Sequence, residues 1–228
     1  MTTEIKICGL KDPEALETAI EAGADLAGMV FFARSPRNIE PVRAAELARR
    51  ARGRIGLVAL TVDADDRLID EIAEVVKPDM VQFHGSESAE RVETVRDRTG
   101  LGIIKVLGVS APADLAAATP YASLCTRLLL DAKPPASADR PGGLGEAFDW
   151  TLLEGYQPGL PWLLAGGLNA GNVVRALAVS AAPGVDVSSG VESAPGVKDP
   201  ERIREFIRAV RQYDSVGRDQ TNKVRTTA

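Results

Sequence analysis

The sequence predicts an α/β fold, a single (β/α)8 TIM barrel, on three observations. A short apolar run followed by a segment of helical periodicity recurs about eight times, the count of such a barrel. The runs are mostly continuous rather than alternating, as expected for parallel strands covered on both faces. Each run closes on Gly or a polar residue, where a strand would open into a loop. An open doubly wound sheet is the structural alternative, and the lack of a Gly-x-Gly-x-x-Gly fingerprint after the first strand disfavours it.

The expected strands cover 5–8, 26–32, 56–62, 80–83, 103–107, 128–131, 162–165 and 185–187. Asp12-Pro13-Glu14 supplies an N-cap and a first-turn proline to a helix over 15–22 that stops at Gly23. A second helix over 41–52 carries a basic last turn, which suits the helix dipole, and Gly53 follows it. Further helices are expected over 65–76, 88–98, 111–118, 169–179 and 199–211, with the weakest around 150–153. Residues 133–145, rich in Pro, Gly and Ala, read as a long loop after the sixth strand. The barrel takes residues 1–213. Residues 214–228 are polar and aperiodic and read as a disordered tail.

A chain of 228 residues suits one large domain or two small ones, and no linker divides this one. Hydrophobic residues make up 45%, enough for a sizeable core. The net charge of −5 is spread through the chain, with no cationic face for nucleic acid or an anionic membrane. An anionic small substrate stays open, because local arginines or backbone amides can hold it. The two cysteines, Cys8 and Cys125, are far apart and lack metal-ligand spacing, so neither a disulfide nor a metal site is expected. Reduced thiols fit a cytoplasmic protein. The first residues lack a signal-peptide layout, and no apolar run is long enough to span a bilayer.

In such a barrel the active site lies at the C-terminal ends of the strands. The residues placed there are Cys8, Arg34 and Arg37, Asp63, His84, Asp131, the Gly166-Gly167 pair, and Ser188-Ser189-Gly190. Cys8 and Asp131 close two separate strands, so a thiol and a carboxylate can face one reacting molecule from opposite sides. Gly166-Gly167 and Ser188-Ser189-Gly190 form two small-residue turns after the last two strands. Together they would expose several N–H groups and two hydroxyls to one anion, where barrels commonly bind phosphate.

Seven segments resemble phosphoribosylanthranilate isomerases, and the likeness spans nearly all of residues 4–211. They are Lys-Ile-Cys-Gly-Leu (6–10), Ser-Pro-Arg (35–37), Val-Gln-Phe-His-Gly (81–85), Leu-Leu-Asp-Ala-Lys (129–133), Phe-Asp-Trp (148–150), Ala-Gly-Gly-Leu-Asn (165–169) and Val-Asp-Val-Ser-Ser-Gly-Val-Glu (185–192). Each is modest alone; their order and spacing are highly specific. The resemblance implies a cofactor-free Amadori rearrangement of a phosphorylated aminosugar in tryptophan biosynthesis. It gives Cys8 the part of general base and Asp131 that of general acid. It implies that Arg37 holds the anthranilate carboxylate, where a planar two-pronged donor fits. His84 would orient substrate or pack, and Asp186 would orient groups near the sugar. A monomer or a homodimer is consistent with the family.

Those roles make demands. Cys8 should ionise more readily than a free thiol, and Asp131 should hold a proton above the ordinary carboxylate range. Lys6 is expected to point away from Cys8, towards the helices. Arg34 reads as a solvated loop residue, Cys125 as a structural thiol, and Trp150 and Trp162 as packing residues. The loop over 141–147 departs from the resemblance, with Leu144 and Glu146 where a hydroxyl and a lysine are more usual. Competing readings are indole-glycerol-phosphate synthase, the histidine-pathway aminoaldose isomerase, which would want Asp in place of Cys8, and a non-catalytic binder of a phosphorylated metabolite.

Overall fold

A computed structural model describes residues 2–133 and 148–226. Eight parallel strands close into a barrel in sequence order, with β8 returning to pair with β1. They are β1 (Glu4–Cys8), β2 (Leu26–Phe31), β3 (Gly56–Thr61), β4 (Met80–Phe83), β5 (Gly102–Val109), β6 (Arg127–Ala132), β7 (Trp162–Leu164) and β8 (Gly184–Val187). The predicted fold class therefore holds, and each strand lies within about two residues of its expected place. The loop positions Leu144 and Glu146 lie outside the described residues.

The helices follow their caps. In α1 (Pro13–Ala22), Asp12 accepts the Ala15 N–H at 2.8 Å, and Gly23 closes the helix at φ 90°. The segment 65–76 forms one turn-capped helix, α3 (Asp66–Glu71), that widens into a π-helix at Ile72–Val76. Between them stands α2 (Pro41–Ala51), and α4 (Ala89–Thr99) follows β4. The unit expected over 111–118 is a 3-10 helix, Pro112–Tyr121, with Pro120 inside it, and the weak unit is another, Trp150–Leu153. The helix α5 (Val173–Ser180) begins later than its expected start at 169, because Asn169 and Asn172 spend their side chains on the turn before it. Local side-chain bonds of this kind compete with helix.

The last helix, α6 (Pro200–Thr226), runs past residue 213, where the sequence reads as passing into a tail. Its continuation is anchored: the Asp214 carboxylate accepts the Thr3 hydroxyl at 2.6 Å and the Thr3 N–H at 3.1 Å. Arg211 adds donors to the Thr3 and Gly23 carbonyls. Between β8 and α6 a small antiparallel pair, β9 (Glu192–Ala194) and β10 (Val197–Lys198), folds back over the barrel mouth side of the β8 loop.

Two apolar layers hold the barrel. Leu26, Val58, Met80, Ile104, Val106, Leu129, Leu163 and Ala165, all from strands or their ends, pack within the ring. Ile5, Ile7, Leu57, Leu128, Leu164 and Val185 face the helices. Glu4 and Arg127 pair in two-pronged fashion at the opening residues of β1 and β6, at 2.7 and 2.8 Å. At the same rim, residues just before the even strands bond back to the odd ones. Asp25 accepts the Ile5 N–H (2.8 Å), Asp79 that of Leu57 (2.7 Å) and Thr126 that of Ile103 (3.0 Å). Pro183 precedes β8 and has no such side chain, and β7 and β8 share the single registered pair Leu164–Val185.

Candidate active site

The site is built from strand ends. Side chains alternate along a strand, so residues two apart share a face. Cys8 faces into the barrel, packed with Val30 and Leu60. Lys6, two residues earlier, must face the same way, and it does: it is 0% exposed, with Nζ 2.8 Å from Asp186 Oδ1. The expectation that Lys6 points to the helices is thus corrected; Ile5 and Ile7 take that direction. Gly28 is the register partner of Cys8 on β2. A methyl there would stand 3.1 Å from both Cys8 Sγ and Lys6 Nζ, so the missing side chain leaves room where thiol and ammonium converge.

The ionisation of Cys8 also runs against expectation. Burial pushes the thiol up, and Asp186 adds to it; Lys6 and Lys198 pull the other way without winning. Lys6 stays charged. Burial alone would strip its proton, but Asp186 and the Cys8 sulfur outweigh burial and raise it above its ordinary value.

Asp131 is the last residue but one of β6, 9% exposed, with Oδ1 accepting its neighbour Ala132 N–H at 2.8 Å. Its Oδ2 lies 3.5 Å from His84 Nε2, which is buried and without a hydrogen-bond partner among the described residues. The backbone of His84 is fixed from below. Its N–H donates to the Thr61 carbonyl at 2.9 Å. The buried Glu87 carboxylate accepts the N–H groups of Gly85 (3.0 Å) and Asp63 (2.9 Å) and the ammonium of Lys105 (2.8 Å). Asp63, expected at the mouth, serves this framework by accepting the Ser86 N–H and hydroxyl.

Arg37 is buried and doubly bonded to Glu192, Nε to Oε1 at 2.7 Å and Nη2 to Oε2 at 2.9 Å. Its Nη1 donates to no group among the described residues. Lys198 Nζ also reaches Glu192 Oε1 (2.8 Å) and the Ser188 carbonyl (2.8 Å). Burial pulls Lys198 below its ordinary value, against the attraction of Glu192. The Ser188 hydroxyl donates to the Cys8 carbonyl at 3.1 Å, which ties the β8 turn to the thiol strand. Arg34 is exposed, as read.

The two glycine-bearing turns interlock. Gly166 takes φ 87°, and a methyl on it would stand 2.8 Å from the Ala132 nitrogen and 3.2 Å from Asp131 Oδ1. A methyl on Gly190 would overlap the Leu168 carbonyl, 1.9 Å away. Among the described residues the amides of Gly166, Gly167 and Leu168 donate to no other group. Asn172 Nδ2 holds the Gly167 carbonyl back at 2.9 Å.

Sequence reasoning placed Cys8, Arg37, His84 and Asp131 at the strand ends, and the fold brings them to one end of the ring with both turns; Asp186, which only the resemblance pointed to, joins them through Lys6. That reasoning missed Lys6, Glu192 and Lys198. The spacing of Lys6 to Cys8 was a usable signal, and Glu192 sits inside a quoted segment; nothing in the sequence marks Lys198.

A closed (β/α)8 ring whose mouth gathers a thiol, carboxylates, an imidazole and two amide-bearing turns defines a barrel enzyme acting on a small molecule. Comparisons make this specific. Residues 5–209 match the family described as N-(5'-phosphoribosyl)anthranilate (PRA) isomerase. A Rhodopseudomonas palustris N-(5'-phosphoribosyl)anthranilate isomerase is 54% identical over 211 residues, covering 92% of this chain and 99% of that one. One from Nitrobacter hamburgensis is 50% identical over 224 residues, covering 98% and 100%. The solved Thermotoga maritima phosphoribosyl anthranilate isomerase is 35% identical with a TM-score of 0.83, over 92% of this chain and all of that one. A phosphoribosyl anthranilate isomerase solved with reduced 1-(o-carboxyphenylamino)-1-deoxyribulose 5-phosphate is 32% identical, TM-score 0.81, with the same coverage. The chain belongs to the phosphoribosylanthranilate isomerase family, whose members interconvert an aldose and a ketose in tryptophan biosynthesis. No helix among the described residues is long and apolar enough to cross a membrane.

Proposed function

We propose that this chain turns N-(5-phosphoribosyl)anthranilate into 1-(2-carboxyphenylamino)-1-deoxyribulose 5-phosphate with Asp131 as general acid and Cys8 as general base. Asp131 gives its proton to the ribose ring oxygen as the C1–O bond breaks, leaving a Schiff base. Cys8, as thiolate, takes the proton from C2, and the enolamine tautomerises to the ketone. Atoms balance, since substrate and product are isomers. Arg37 holds the anthranilate carboxylate through its unengaged Nη1. Gly166, Gly167, Ser189 and Gly190 present amides to the phosphate. Ser188 serves this turn by its backbone, its hydroxyl being engaged with Cys8. His84 bears on Asp131, and Asp186 faces the sugar with Oδ2.

The observation that carries the reading is the order round the ring. Asp131 on β6, the turn after β7, the turn after β8 and Cys8 on β1 follow one another. A phosphate on the two turns is therefore flanked by the acid and the base. The thiol's burial sets a condition: the thiolate must be favoured in the loaded site by the cations around it.

The ligand class is thus a phosphorylated small molecule. A monomer or a homodimer fits, and a Thermotoga maritima relative is described as dimeric. Two unpaired cysteines fit the cytoplasm. The test is turnover of phosphoribosylanthranilate generated in situ, followed by loss of its fluorescence. Cys8→Ala should lower kcat by about 10²–10⁴-fold, the worth of a general base. Near-normal turnover in that variant would sink the assignment.

A further inference from the structure

We infer that Lys6 is a positioning residue for Cys8: its ammonium, anchored by Asp186 beneath the thiol, supplies the fixed positive charge on which the thiolate forms. The inference rests on Cys8 being the base.

The geometry leaves Lys6 little other use. It is wholly inside the barrel, on the same face of β1 as Cys8 and one register step deeper. Its one hydrogen bond among the described residues goes to Asp186 Oδ1, at 2.8 Å. An ammonium has three donors, so two remain for what lies above it. What lies above it is the sulfur, and both border the space that Gly28 leaves without a side chain. An isolated lysine in such a place would lose its proton. Here the Asp186 carboxylate keeps it charged and also fixes where the charge sits.

The charges round Cys8 can be counted element by element. Lys6 faces it from β1 and Asp186 from β8, and the two cancel at a distance. Lys198 faces it from β10, itself divided between Glu192 and the Ser188 carbonyl. Arg37 lies beyond Gly9 and is committed to Glu192. From β2 and β3 come Gly28, Val30 and Leu60, none charged. Close to the sulfur the ammonium is the strongest of the charges, its pull on the thiolate exceeding the push of Asp186 and the pull of Lys198.

The test reads the thiol directly. In a Cys125→Ala background, Cys8 is alkylated with iodoacetamide across pH, and kcat/KM is measured on the same samples. Lys6→Met removes the charge. Gly28→Ala keeps every charge but sets a methyl 3.1 Å from both Sγ and Nζ, crowding the place where they converge, and so remains decisive if the first variant folds poorly. Expected is a fall of tenfold or more in alkylation rate at pH 7.5 in each variant. The acid limb of the kcat/KM profile should move to higher pH by the same factor. Alkylation profiles that superimpose on that of the parent would overturn the inference. Full turnover in Cys8→Ala would instead remove the base assignment, while the alkylation profile would still report whether Lys6 holds the thiolate.

Discussion

Glu192→Gln should be the most damaging single-atom exchange in this protein. The carboxylate is 6% exposed and carries four donors: Arg37 Nε and Nη2, Lys198 Nζ and the Gly196 N–H, all within 3.1 Å. Burial raises its pKa, but Arg37 and Lys198 outweigh burial and hold it below the usual carboxylate range. One anion thus compensates two buried cations. Glutamine keeps the shape, removes the charge and turns a donor towards donors. Removing one partner of a buried ion pair costs about 3–5 kcal/mol. For a chain of this size each kcal/mol moves Tm by roughly 2–4 °C, so a fall on the order of 10 °C at pH 7 is expected. The pH dependence follows from Lys198. Burial already lowers its pKa, and loss of Glu192 lowers it further. Between its folded and unfolded values the unfolded chain binds the extra proton, so the variant's stability climbs as pH rises through that window. Thermal unfolding of parent and variant at pH 7 and pH 9 measures both effects. A Tm within 2 °C of the parent at pH 7, or a deficit that does not narrow at pH 9, would refute the charge accounting.

Further outcomes follow from the same contacts. Asp131→Asn should lower kcat by about 10²–10⁴-fold with substrate still bound, by stopped-flow fluorescence; a change in KM alone would contradict its role as acid. Arg37→Ala keeps Glu192 balanced in charge by Lys198 but removes two of its hydrogen bonds, so it should cost less stability than Glu192→Gln and raise KM, and an effect confined to kcat would count against carboxylate binding. Asp79→Ala removes the acceptor of the Leu57 N–H at the far rim and should cost about 2 kcal/mol in urea unfolding with activity intact; an unchanged midpoint would show that this bond contributes nothing. Burial pushes Cys125 up from 9.0 to about 11. The unfolded chain sheds this proton first as pH passes 9, so stability should decline from there to about pH 11. Cys125→Ala should lessen the decline, and an identical pH profile in the two proteins would exclude the thiol as a source.

The barrel was legible because its signals are local and repeated. Short continuous apolar runs bounded by Gly or polar residues fit covered strands, and Asp12-Pro13 with Gly23 caps α1 as the sequence reads. The mouth residues were legible as strand-closing residues. What escaped was set by contacts distant in sequence. Glu192 with Arg37, and Lys198 with Ser188, arise only when β9 and β10 fold back. The raised Cys8 thiol reflects burial, which no motif records. The helical continuation of α6 depends on Asp214 finding Thr3, at the opposite end of the chain. Lys6 is different, since its two-residue spacing from Cys8 already fixed its direction.

The side-chain bonds at the bottom rim act as staples, and they are unequally shared. The β1–β2, β3–β4 and β5–β6 pairs each have one, from Asp25, Asp79 and Thr126. Of the four pairs that begin on an odd strand, β7–β8 alone has no such bond among the described residues and little ladder, which makes it the open link. The open link lies beneath the two turns assigned to phosphate. An anion bridging those turns would fasten from above what the sequence leaves unfastened below. Occupancy and integrity of the ring are then one equilibrium, with a gain set by ligand concentration over its Kd. Among the strand amides, those of β7 and β8 should exchange faster than those of β2 and β3 in the empty protein, and slow as substrate or inorganic phosphate is added.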